Sequence, residues 1–572
     1  MTGAVIAADV VQSILVSAVE EAEAKLGATA YSSSVAEAQD FAAAIYGADT
    51  GLIAQSRRAS GTFTGTLGRG LRTVLGQIPP ATLQPGDTLI TNDPWIGGGH
   101  VPDVLTIRPV FYQDEIAGYV GNVAHLSDLG GKPSSDSADN YEEGLHIPPM
   151  HLQRAGRLNE TLMAVLAANS RLPAHVSGDV QAQAAANALM ERRFLELLDR
   201  CGLAGLLAQM ASLHARAEAV VRDRIARLPD GEYAGAADSD GVGERLGVTA
   251  RLTVSGDTLS VDFDGSSAQS RWGLNVPLNL TIAETLYSLR VVLFPDLPLI
   301  EGTIAPFRVS APVGCVLNPV PPAPTMVRTV VVHNVCAAVW SALAPLVPEF
   351  IPAHRLCAHF GGIWTFRFRG VLRKPPSVYR RGGPPQVSGT YTETYFSNGG
   401  MGALGAADGP STVSMPVNCT NVPIEVMESR APVLFEEKRQ TPDSGGAGTY
   451  RGGLGQQVRI RLISDDPVDF IVGTVDRIDH APFGLAGGCP GQAGQLTIEG
   501  QAVDRRRVHR LHPNQTVAAR LPGGGGYGPP GERAAAAIKR DLRLGLVTAG
   551  SAERSYGSDP LLARERKEAA TS

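Results

Sequence analysis

The sequence predicts an α+β protein of several domains: an N-terminal helix, a β-hairpin region beside it, and a β-rich, glycine-punctuated C-terminal part. Its length and composition support this. A chain of 572 residues exceeds what one hydrophobic core normally organises, so two to four domains are expected. With 43% apolar and 19% charged residues, the composition is that of a well-buried globular protein. Glycine supplies 65 residues, a larger share than the usual ~7%, which favours tight turns over a helical bundle.

Charge, cysteines and hydropathy exclude several classes of protein. The net charge of −6 and the pI near 6.1 predict no basic surface for nucleic acid. The six cysteines are far apart and form no C-x-x-C pair, so neither a disulfide framework nor a zinc finger is expected. The N-terminus lacks the basic region of a signal peptide. The longest apolar run, residues 330–347, is interrupted by His333, Asn334 and Pro345, which predicts a buried helix rather than a membrane span. We therefore expect a soluble, cytoplasmic protein.

The first part of the chain alternates between helical and strand patterns. Apolar residues recur at three- and four-residue steps from Val11 to Leu26, as in one amphipathic helix. Residues 40–55 predict two short strands about a Gly-Ala-Asp turn. Strands and turns continue through 86–128, and a helical stretch follows at 160–228.

The later part of the chain predicts a different organisation. Residues 247–267 form a hairpin pattern around Ser-Gly-Asp, and 275–295 and 329–347 read as helices. Proline and glycine mark 311–324 and 374–390 as linkers or edges, and β-structure follows. These changes predict four segments: 1–228, a metal-site domain; 229–390, a middle α/β domain; 391–545, a β-rich domain; and 546–572, a loosely held tail.

Two histidines are placed where one β-hairpin can bring them together. The hairpin pattern spans residues 101–128, with a two-residue turn at Gln113-Asp114. Strict pairing from that turn sets His125 opposite Pro102 and puts His100 on the same face. Opposed Cβ atoms lie about 5 Å apart and diagonal ones about 7–8 Å, so both imidazoles can reach one ion.

Carboxylates border the same end of the hairpin. Strict alternation places Asp103 and Asp128 on the opposite face, although a slip of one residue or a bulge at Pro102 would re-aim them. Two imidazoles and a carboxylate suit zinc, manganese or iron. The alternative is that both histidines are structural, hydrogen-bonded residues and that the three glycines before His100 form a plain tight turn. The spacing alone leaves both interpretations open.

Other apparent motifs favour structural roles. The glycines of "NGGMGALG" (398–405) fit a turn, because no helix opens after them. Cys419 is a conceivable nucleophile, but an inert buried thiol is the better interpretation without a neighbouring base. No recognisable nucleotide-binding loop occurs in the sequence.

Longer motifs carry a family resemblance. The stretches "GDTLITNDPWIGGGHVPDV", "AHLSDLGG", "YEEGLHIPPMHL", "DSGGAGTYRGGLG" and "LPGGGGYGPP" resemble the hydantoinase B/5-oxoprolinase family and occur in the family's order. The resemblance runs from about residue 9 to about residue 556, which is nearly the whole chain.

The resemblance implies a function divided between two subunits. A hydantoinase A-like partner would bind ATP and phosphorylate the substrate's oxygen, and this chain would complete the reaction at one divalent metal ion, zinc or manganese above all. Carried over residue by residue, the metal ligands would be Asp40, His100 and His125. Asp103 would orient water as a base or add a ligand, and Asp93 and Asp128 would orient the imidazoles. For these last three residues a structural role as a turn or cap residue is the alternative.

The resemblance leaves the reaction open between two branches. The expected activity is ATP-dependent hydrolysis of a small cyclic amide, such as a hydantoin, oxoproline or another lactam, in a hetero-oligomer. The sequence departs from the amidohydrolase pattern at "APTMVRTVVVHNV" (323–335) and near residue 400, which leaves room for a ketone carboxylase resembling acetone and acetophenone carboxylases. Arg328 in the first stretch can bind an anionic group or pair with a local carboxylate; we favour the second. A non-catalytic scaffold for the ATP-binding partner is the third alternative.

Overall fold

A computed structural model of the chain describes residues 7–57, 63, 65–372 and 389–557. Its helices and strands divide between two compact units. The first unit comprises Met1–Ala234, Thr249–Cys336 and Asn418–Thr420, and the second comprises Gly235–Val248, Ala337–Val417 and Asn421–Ser572. The predicted α+β class is confirmed, and the four-segment division remains a prediction.

A seven-stranded sheet is the centre of the first unit. Its strands, in chain order, are β1 (Phe41–Gly47), β2 (Leu52–Gln55), β3 (Thr88–Thr91), β4 (Asp103–Tyr112), β5 (Glu115–His125), β6 (Met150–Arg154) and β7 (Arg157–Leu158). In space the order is β2-β1-β5-β4-β3-β6-β7. The start of β1, the start of β4 and the end of β5 therefore meet at one end of the sheet, because β5 runs antiparallel to both neighbours.

Helices cover both faces of this sheet. They are α1 (Ala8–Thr29), α2 (Ser33–Ala36), α3 (Thr66–Gln77), α4 (Glu160–Asn169) and α5 (Pro173–Ala226, interrupted at Gly202). The alternating side chains of β1 show why. Ala43 and Ile45 pack against α1 and α5, whereas Ala44 and Tyr46 pack against α3.

A second group of elements follows the long helix α5. A four-stranded sheet of order β11-β10-β9-β8 is formed by β8 (Gly231–Ser239), β9 (Leu246–Ser255), β10 (Thr258–Asp262) and β11 (Phe307–Ser310). The helices of this region are α6 (Leu278–Leu293), α7 (Glu301–Ile304) and α8 (Thr329–Leu343). Within Thr329–Leu346 the chain is long and apolar enough to cross a membrane, but 78% of that segment is buried inside the protein, as in a core helix.

The second unit is mostly β-structure. One sheet, of order β13-β12-β16-β19, and another, of order β14-β15-β20-β17-β18, are built from the strands β12 (Ile363–Leu372), β13 (Gly389–Asn398), β14 (Val433–Gln440), β15 (Gln456–Leu462), β16 (Val468–Val472), β17 (Gln495–Ile498), β18 (Gln501–Ala502), β19 (His509–Leu511) and β20 (Thr516–Arg520). Its helices are α9 (Ile424–Arg430), α10 (Ala535–Arg543) and α11 (Ala549–Tyr556).

Most predicted elements are found in place. The N-terminal helix, the strand pair in 40–55, the helical stretch of 160–228 and the hairpin in 247–267 are all present. The predicted linker 374–390 lies almost wholly outside the described residues. The segment predicted as a loose tail begins with α11, whose Ala552 and Tyr556 are buried, and residues 558–572 lie outside the described part of the chain.

Candidate metal centre

The β4–β5 hairpin brings His125 and Asp103 directly opposite each other. Its two-residue turn pairs Tyr112 with Glu115, as predicted, with positive φ at both turn residues. A bulge then shifts the register between Val110 and Phe111, so that Asp103 pairs with His125. The expected pairing of His125 with Pro102 is therefore wrong. The one-residue shift moves Asp103 onto the face of the imidazoles.

Three side-chain atoms form a small triangle at this end of the sheet. Nε2 of His100 lies 2.9 Å from Oδ1 of Asp103 and 3.0 Å from Nδ1 of His125. The third side, from Nδ1 of His125 to Oδ1 of Asp103, is 3.1 Å. His100 and Asp103 are buried, and the His125 side chain is 13% exposed. Of the described residues, these three form the group whose donor atoms all lie within 4.8 Å of one another.

The backbone carbonyl of Met326 fixes the His100 ring. It accepts a hydrogen bond of 2.9 Å from Nδ1, which must therefore carry the proton. Burial lowers the pKa of His100 to about 4, so the ring is neutral at pH 7 and Nε2 presents a lone pair. Two acceptors, this nitrogen and Oδ1 of Asp103, then face each other across 2.9 Å with no proton between them. A cation between them would remove this repulsion.

Arg328 holds Asp103 in its charged form. Burial alone would raise the pKa of this carboxyl, but the Arg328 guanidinium and the two imidazoles hold it well below its usual range. Arg328 donates to Oδ2 of Asp103, which leaves Oδ1 directed at the histidines. It also donates from Nε to the carbonyl of Gly98, at 2.9 Å. The preferred interpretation of Arg328, pairing with a local carboxylate, is confirmed.

Two of the three glycines before His100, Gly98 and Gly99, are explained by this packing. A Cβ at Gly98 would lie 2.3 Å from Oδ2 of Asp103. Gly99 has a φ of +95°, and a Cβ there would lie 2.8 Å from Nε of Arg328. Nδ2 of Asn279 donates to the carbonyls of Ile96 and Gly97 and so fixes the start of the turn. The turn is a close-packed wall of the site.

Glu143 stabilises the backbone segment that orients His100. Its Oε1 accepts the backbone N–H groups of Thr325 and Met326, each at 2.7 Å, and its Oε2 accepts from Asn140. Burial raises its pKa to about 7, although these hydrogen bonds oppose the shift. Glu143 therefore positions the Met326 carbonyl, which in turn orients His100.

Asp40 lies beside the triangle but outside the three-residue group. Its backbone carbonyl accepts from the N–H of His125 at 3.0 Å, and its carboxyl interacts electrostatically with His125 and Asp103. Burial raises the pKa of this carboxyl, and the Cys419 thiol donates a hydrogen bond to it. Burial also raises the pKa of Cys419, as does Asp40 itself, so the thiol stays protonated.

Asp93 and Asp128 lie in turns that flank the site. Oδ1 of Asp93 accepts from the N–H of Trp95 at 2.9 Å, which closes the start of the glycine turn. Asp128 pairs with the guanidinium of Arg171 at 2.7 Å and accepts the backbone N–H of the same residue. Neither aspartate is hydrogen-bonded to an imidazole of the triangle in the part of the chain that the structure describes.

Sequence reasoning missed Glu143 and the role of the Met326 carbonyl. Glu143 stands in the quoted motif "YEEGLHIPPMHL", where one of two adjacent glutamates is buried and the other exposed to solvent. The sequence gives no periodicity that separates them. A carbonyl such as that of Met326 carries no side-chain signature at all, so only the fold reveals it.

The triangle has the dimensions of a metal site. Bonds of about 2.0–2.1 Å at right angles place two ligands about 2.9 Å apart, and tetrahedral angles place them about 3.4 Å apart. The observed sides of 2.9–3.1 Å thus fit three ligands on one face of a coordination sphere. Two imidazoles and one carboxylate are a donor set that suits zinc, manganese or iron.

Comparison with known proteins identifies relatives over nearly the whole length. The family described as hydantoinase B/oxoprolinase matches residues 5–530. A protein of Pseudomonas sp. (strain NS671), named as a putative subunit of a D-/L-hydantoinase, is 30% identical, and the alignment covers 93% of this chain and 91% of that protein.

Two solved structures share the fold. The ATP-dependent caprolactamase from Pseudomonas jessenii matches with a TM-score of 0.84 and 28% identity, over 96% of this chain and 95% of that one. Acetone carboxylase in its nucleotide-free form matches with a TM-score of 0.81 over 99% of this chain and 83% of that one, at 18% identity. The second likeness concerns the fold alone.

Proposed function

The chain belongs to the hydantoinase B/oxoprolinase family, and on that premise we propose that it is the metal-bearing subunit of an ATP-dependent cyclic amidohydrolase. The substrate would be a small lactam or hydantoin whose amide oxygen is first phosphorylated in a partner subunit. The observation that supports the proposal most is the triangle of His100, Asp103 and His125, with all three sides near 3 Å.

In this proposal the triangle holds the metal, and Asp40 takes the role of the base. His100, Asp103 and His125 would be the ligands, because Arg328 keeps Asp103 charged and directs its Oδ1 toward the imidazoles. A divalent ion there supplies Lewis-acid activation of water at neutral pH. Zinc and manganese suit the donor set best. The prediction that Asp40 is itself a ligand stays a prediction.

The remaining residues orient and move protons. Burial raises the pKa of the Asp40 carboxyl, which makes it a stronger proton acceptor toward water than an ordinary aspartate. Cys419 orients that carboxyl through its S–H, and Met326 holds the proton of His100 on Nδ1. Phosphorylation of the amide oxygen makes the ring carbon electrophilic. Attack by one water and cleavage of the C–N bond would give the free amine and an acyl phosphate, and a second water would hydrolyse that acyl phosphate to the carboxylate and inorganic phosphate.

The partner would be a hydantoinase A-like subunit that binds ATP. Relatives named as single subunits of a hydantoinase and of a caprolactamase support a hetero-oligomer. Such a division of steps requires the intermediate to pass between subunits protected from water. We place the assembly in the cytoplasm, since the six cysteines, which all lie in the described part of the chain, form no disulfide and disulfides mark oxidising compartments.

A ketone carboxylase is the second candidate. It is favoured by the fold shared with acetone carboxylase and by the departure from the amidohydrolase pattern at 323–335. Incorporation of labelled bicarbonate that depends on a ketone would identify the carboxylase, whereas release of an amino acid from a lactam would identify the hydrolase. A scaffold without chemistry would do neither.

The experiment that tests the proposal is elemental analysis of the purified chain, freed of loosely bound ions, with His100→Ala and His125→Ala beside it. We expect about one equivalent of metal in the wild type and a loss in both variants, with loss of product formation when the partner and ATP are added. His512→Ala, an exposed histidine of the second unit, is the matched control and should keep its metal. Full metal and activity in either site variant would refute the assignment.

A further inference from the structure

A second polar cavity lies in the first unit, at the side of the sheet where β2 ends. Its volume is about 380 Å³. Helix α1 contributes Gln12 and Ser13, the end of β2 leads to Ser56 and Arg57, and the last turn of α6 contributes Arg290. None of these residues takes part in the triangle of metal-binding atoms.

Arg290 is the unusual group of this cavity. Its Nε is shielded from solvent and has no hydrogen-bond partner among the described residues. Burial lowers the pKa of its guanidinium. The carboxylate in the same lining, Asp296, is bound by both terminal nitrogens of Arg224, at 2.6 and 2.7 Å. A shielded guanidinium N–H without an acceptor favours an anion at this site.

The remaining lining groups fit an anion of two charges. Arg57 supplies a second guanidinium. Oε1 of Gln12 is buried without a hydrogen-bond partner in the described part of the chain and can accept from a protonated ligand oxygen. Two arginines match a phosphate dianion in charge and in their forked donor geometry.

A larger cavity lies beside this one, on the side of the metal centre. Its volume is about 990 Å³, and Ser56 and Arg57 line both cavities. Its walls include Gln39 and Phe41, which flank Asp40, together with Asn418 and Thr420, which flank Cys419. The smaller cavity therefore adjoins a space that borders the segments carrying Asp40 and Cys419.

Acidic residues line both cavities. Asp296 lines the smaller one and is bound by Arg224, at 2.6 and 2.7 Å. Glu20 and Glu23 line the larger one, and Glu23 accepts the N–H of Ala43 at 2.9 Å. Arg57 lines both cavities, and Arg290 lines the smaller one.

We propose that Arg290 and Arg57 form a binding site for the phosphoryl group of a small phosphorylated molecule, next to the metal centre. The assignment of that molecule as the activated substrate rests on the proposed function, but the phosphate site itself does not. Its position would hold the charged end of the molecule at the arginines while the rest extends through the larger cavity toward Asp40.

The test is calorimetric titration of the chelator-treated, metal-free chain with inorganic phosphate. We expect saturable binding at one site, weakened about tenfold to hundredfold in Arg290→Met, because one charge-assisted contact is lost. Arg227→Met removes the same charge from an exposed helix end and should bind as the wild type does. Absence of saturable binding to the wild type in the millimolar range, or equal loss in both variants, would overturn the proposal.

Three further measurements accompany this titration. If Arg290→Met does not fold, Arg57→Met replaces it, because Arg57 is exposed and its loss leaves no buried gap. Phenyl phosphate, titrated beside inorganic phosphate, should bind more tightly if the larger cavity receives the organic part and equally if the site serves free phosphate. His100→Ala should keep phosphate binding while losing metal, which separates a failure of the metal assignment from a failure of this one.

Discussion

Gly98 allows a direct test of how tightly the glycine turn packs on Asp103. In Gly98→Ala the new Cβ would lie 2.3 Å from Oδ2, 2.6 Å from Cβ and 2.7 Å from Cγ of Asp103, whereas ordinary contacts begin near 3.4 Å. The carboxylate must move by about 1 Å to relieve this overlap. It has no free direction, since Arg328 holds one oxygen and the two imidazoles surround the other.

The expected effect follows from that displacement. Overpacking of this kind costs about 1–3 kcal/mol of unfolding free energy. A shift of about 1 Å in one ligand should also weaken metal binding by about 10–100-fold, as is usual when the support of a ligand is lost. Chemical denaturation of the metal-free chain measures the first quantity, and metal titration against a competing chelator measures the second.

The neighbouring glycine is the matched control. A Cβ at Gly97 would come no closer than 3.5 Å to any atom, which is ordinary contact. Gly97→Ala should therefore keep both stability and metal affinity within about 0.5 kcal/mol of the wild type. Wild-type metal affinity in Gly98→Ala, or an equal loss in Gly97→Ala, would refute the reasoning.

Two further substitutions test the contacts behind the metal centre, and a third tests Glu284, a buried carboxyl of helix α6. Glu143→Gln should weaken metal binding about tenfold, because it disturbs the carboxylate that fixes the Met326 carbonyl; metal titration measures this. Arg328→Met should cost about 3–5 kcal/mol of unfolding free energy at pH 7, measured by chemical denaturation, since Asp103 is left buried without its partner. Burial raises the pKa of Glu284 from 4.5 to about 7. Its stabilisation is then complete below pH 4.5 and lost as the pH rises through 7, so Glu284→Gln should flatten the fall in melting temperature over that window.

Each of these variants has a control on the surface. Glu142→Gln alters the exposed neighbour of Glu143 and should bind metal normally. Arg216→Met breaks an exposed ion pair with Asp9 and should change stability by less than about 0.5 kcal/mol. Glu115→Gln, on the exposed hairpin turn, should keep the wild-type pH profile. A control that behaves like its buried counterpart would contradict the corresponding prediction.

The local elements could be predicted because their periodicity is strong. The repeat from Val11 to Leu26 gives a helix whichever partner it packs on, and the turn at Gln113-Asp114 fixes the hairpin from its tip. The strand register near Asp103 and His125 could not be predicted in the same way. One bulge in the hairpin moves every side chain beyond it to the opposite face of the sheet.

A glycine inside the β5 pattern marks where that bulge occurs. A Cβ at Gly118 would lie 2.3 Å from the carbonyl oxygen of Tyr46 and 2.8 Å from the Phe194 ring, so only glycine fits there. An isolated glycine in a strand pattern indicates a bulge or a close backbone approach. This signal was present in the sequence, but the proximity of β1 and α5 that gives it meaning comes only from the fold.

The convergence of the two histidines could be predicted from the sequence. The residues that hold the site in place were harder to predict. His125 ends β5 and His100 lies three residues before β4, so the pairing of the hairpin brings the two segments to one end of the sheet. The residues that hold Asp103, Met326 and Asp40 in place come from more than 100 to almost 400 positions away in the chain. Such contacts depend on tertiary packing, and the residue pattern of a single sequence does not predict them.

The return of Asn418–Thr420 to the first unit sets an order of events on the ribosome. Asp40 leaves the exit tunnel long before Cys419, the thiol that hydrogen-bonds it. At about 5–20 residues per second, the delay is roughly 20–80 s. His100, Asp103, His125 and Arg328 are all synthesised within that interval, so the donor triangle and its supporting arginine can assemble before Cys419 reaches Asp40.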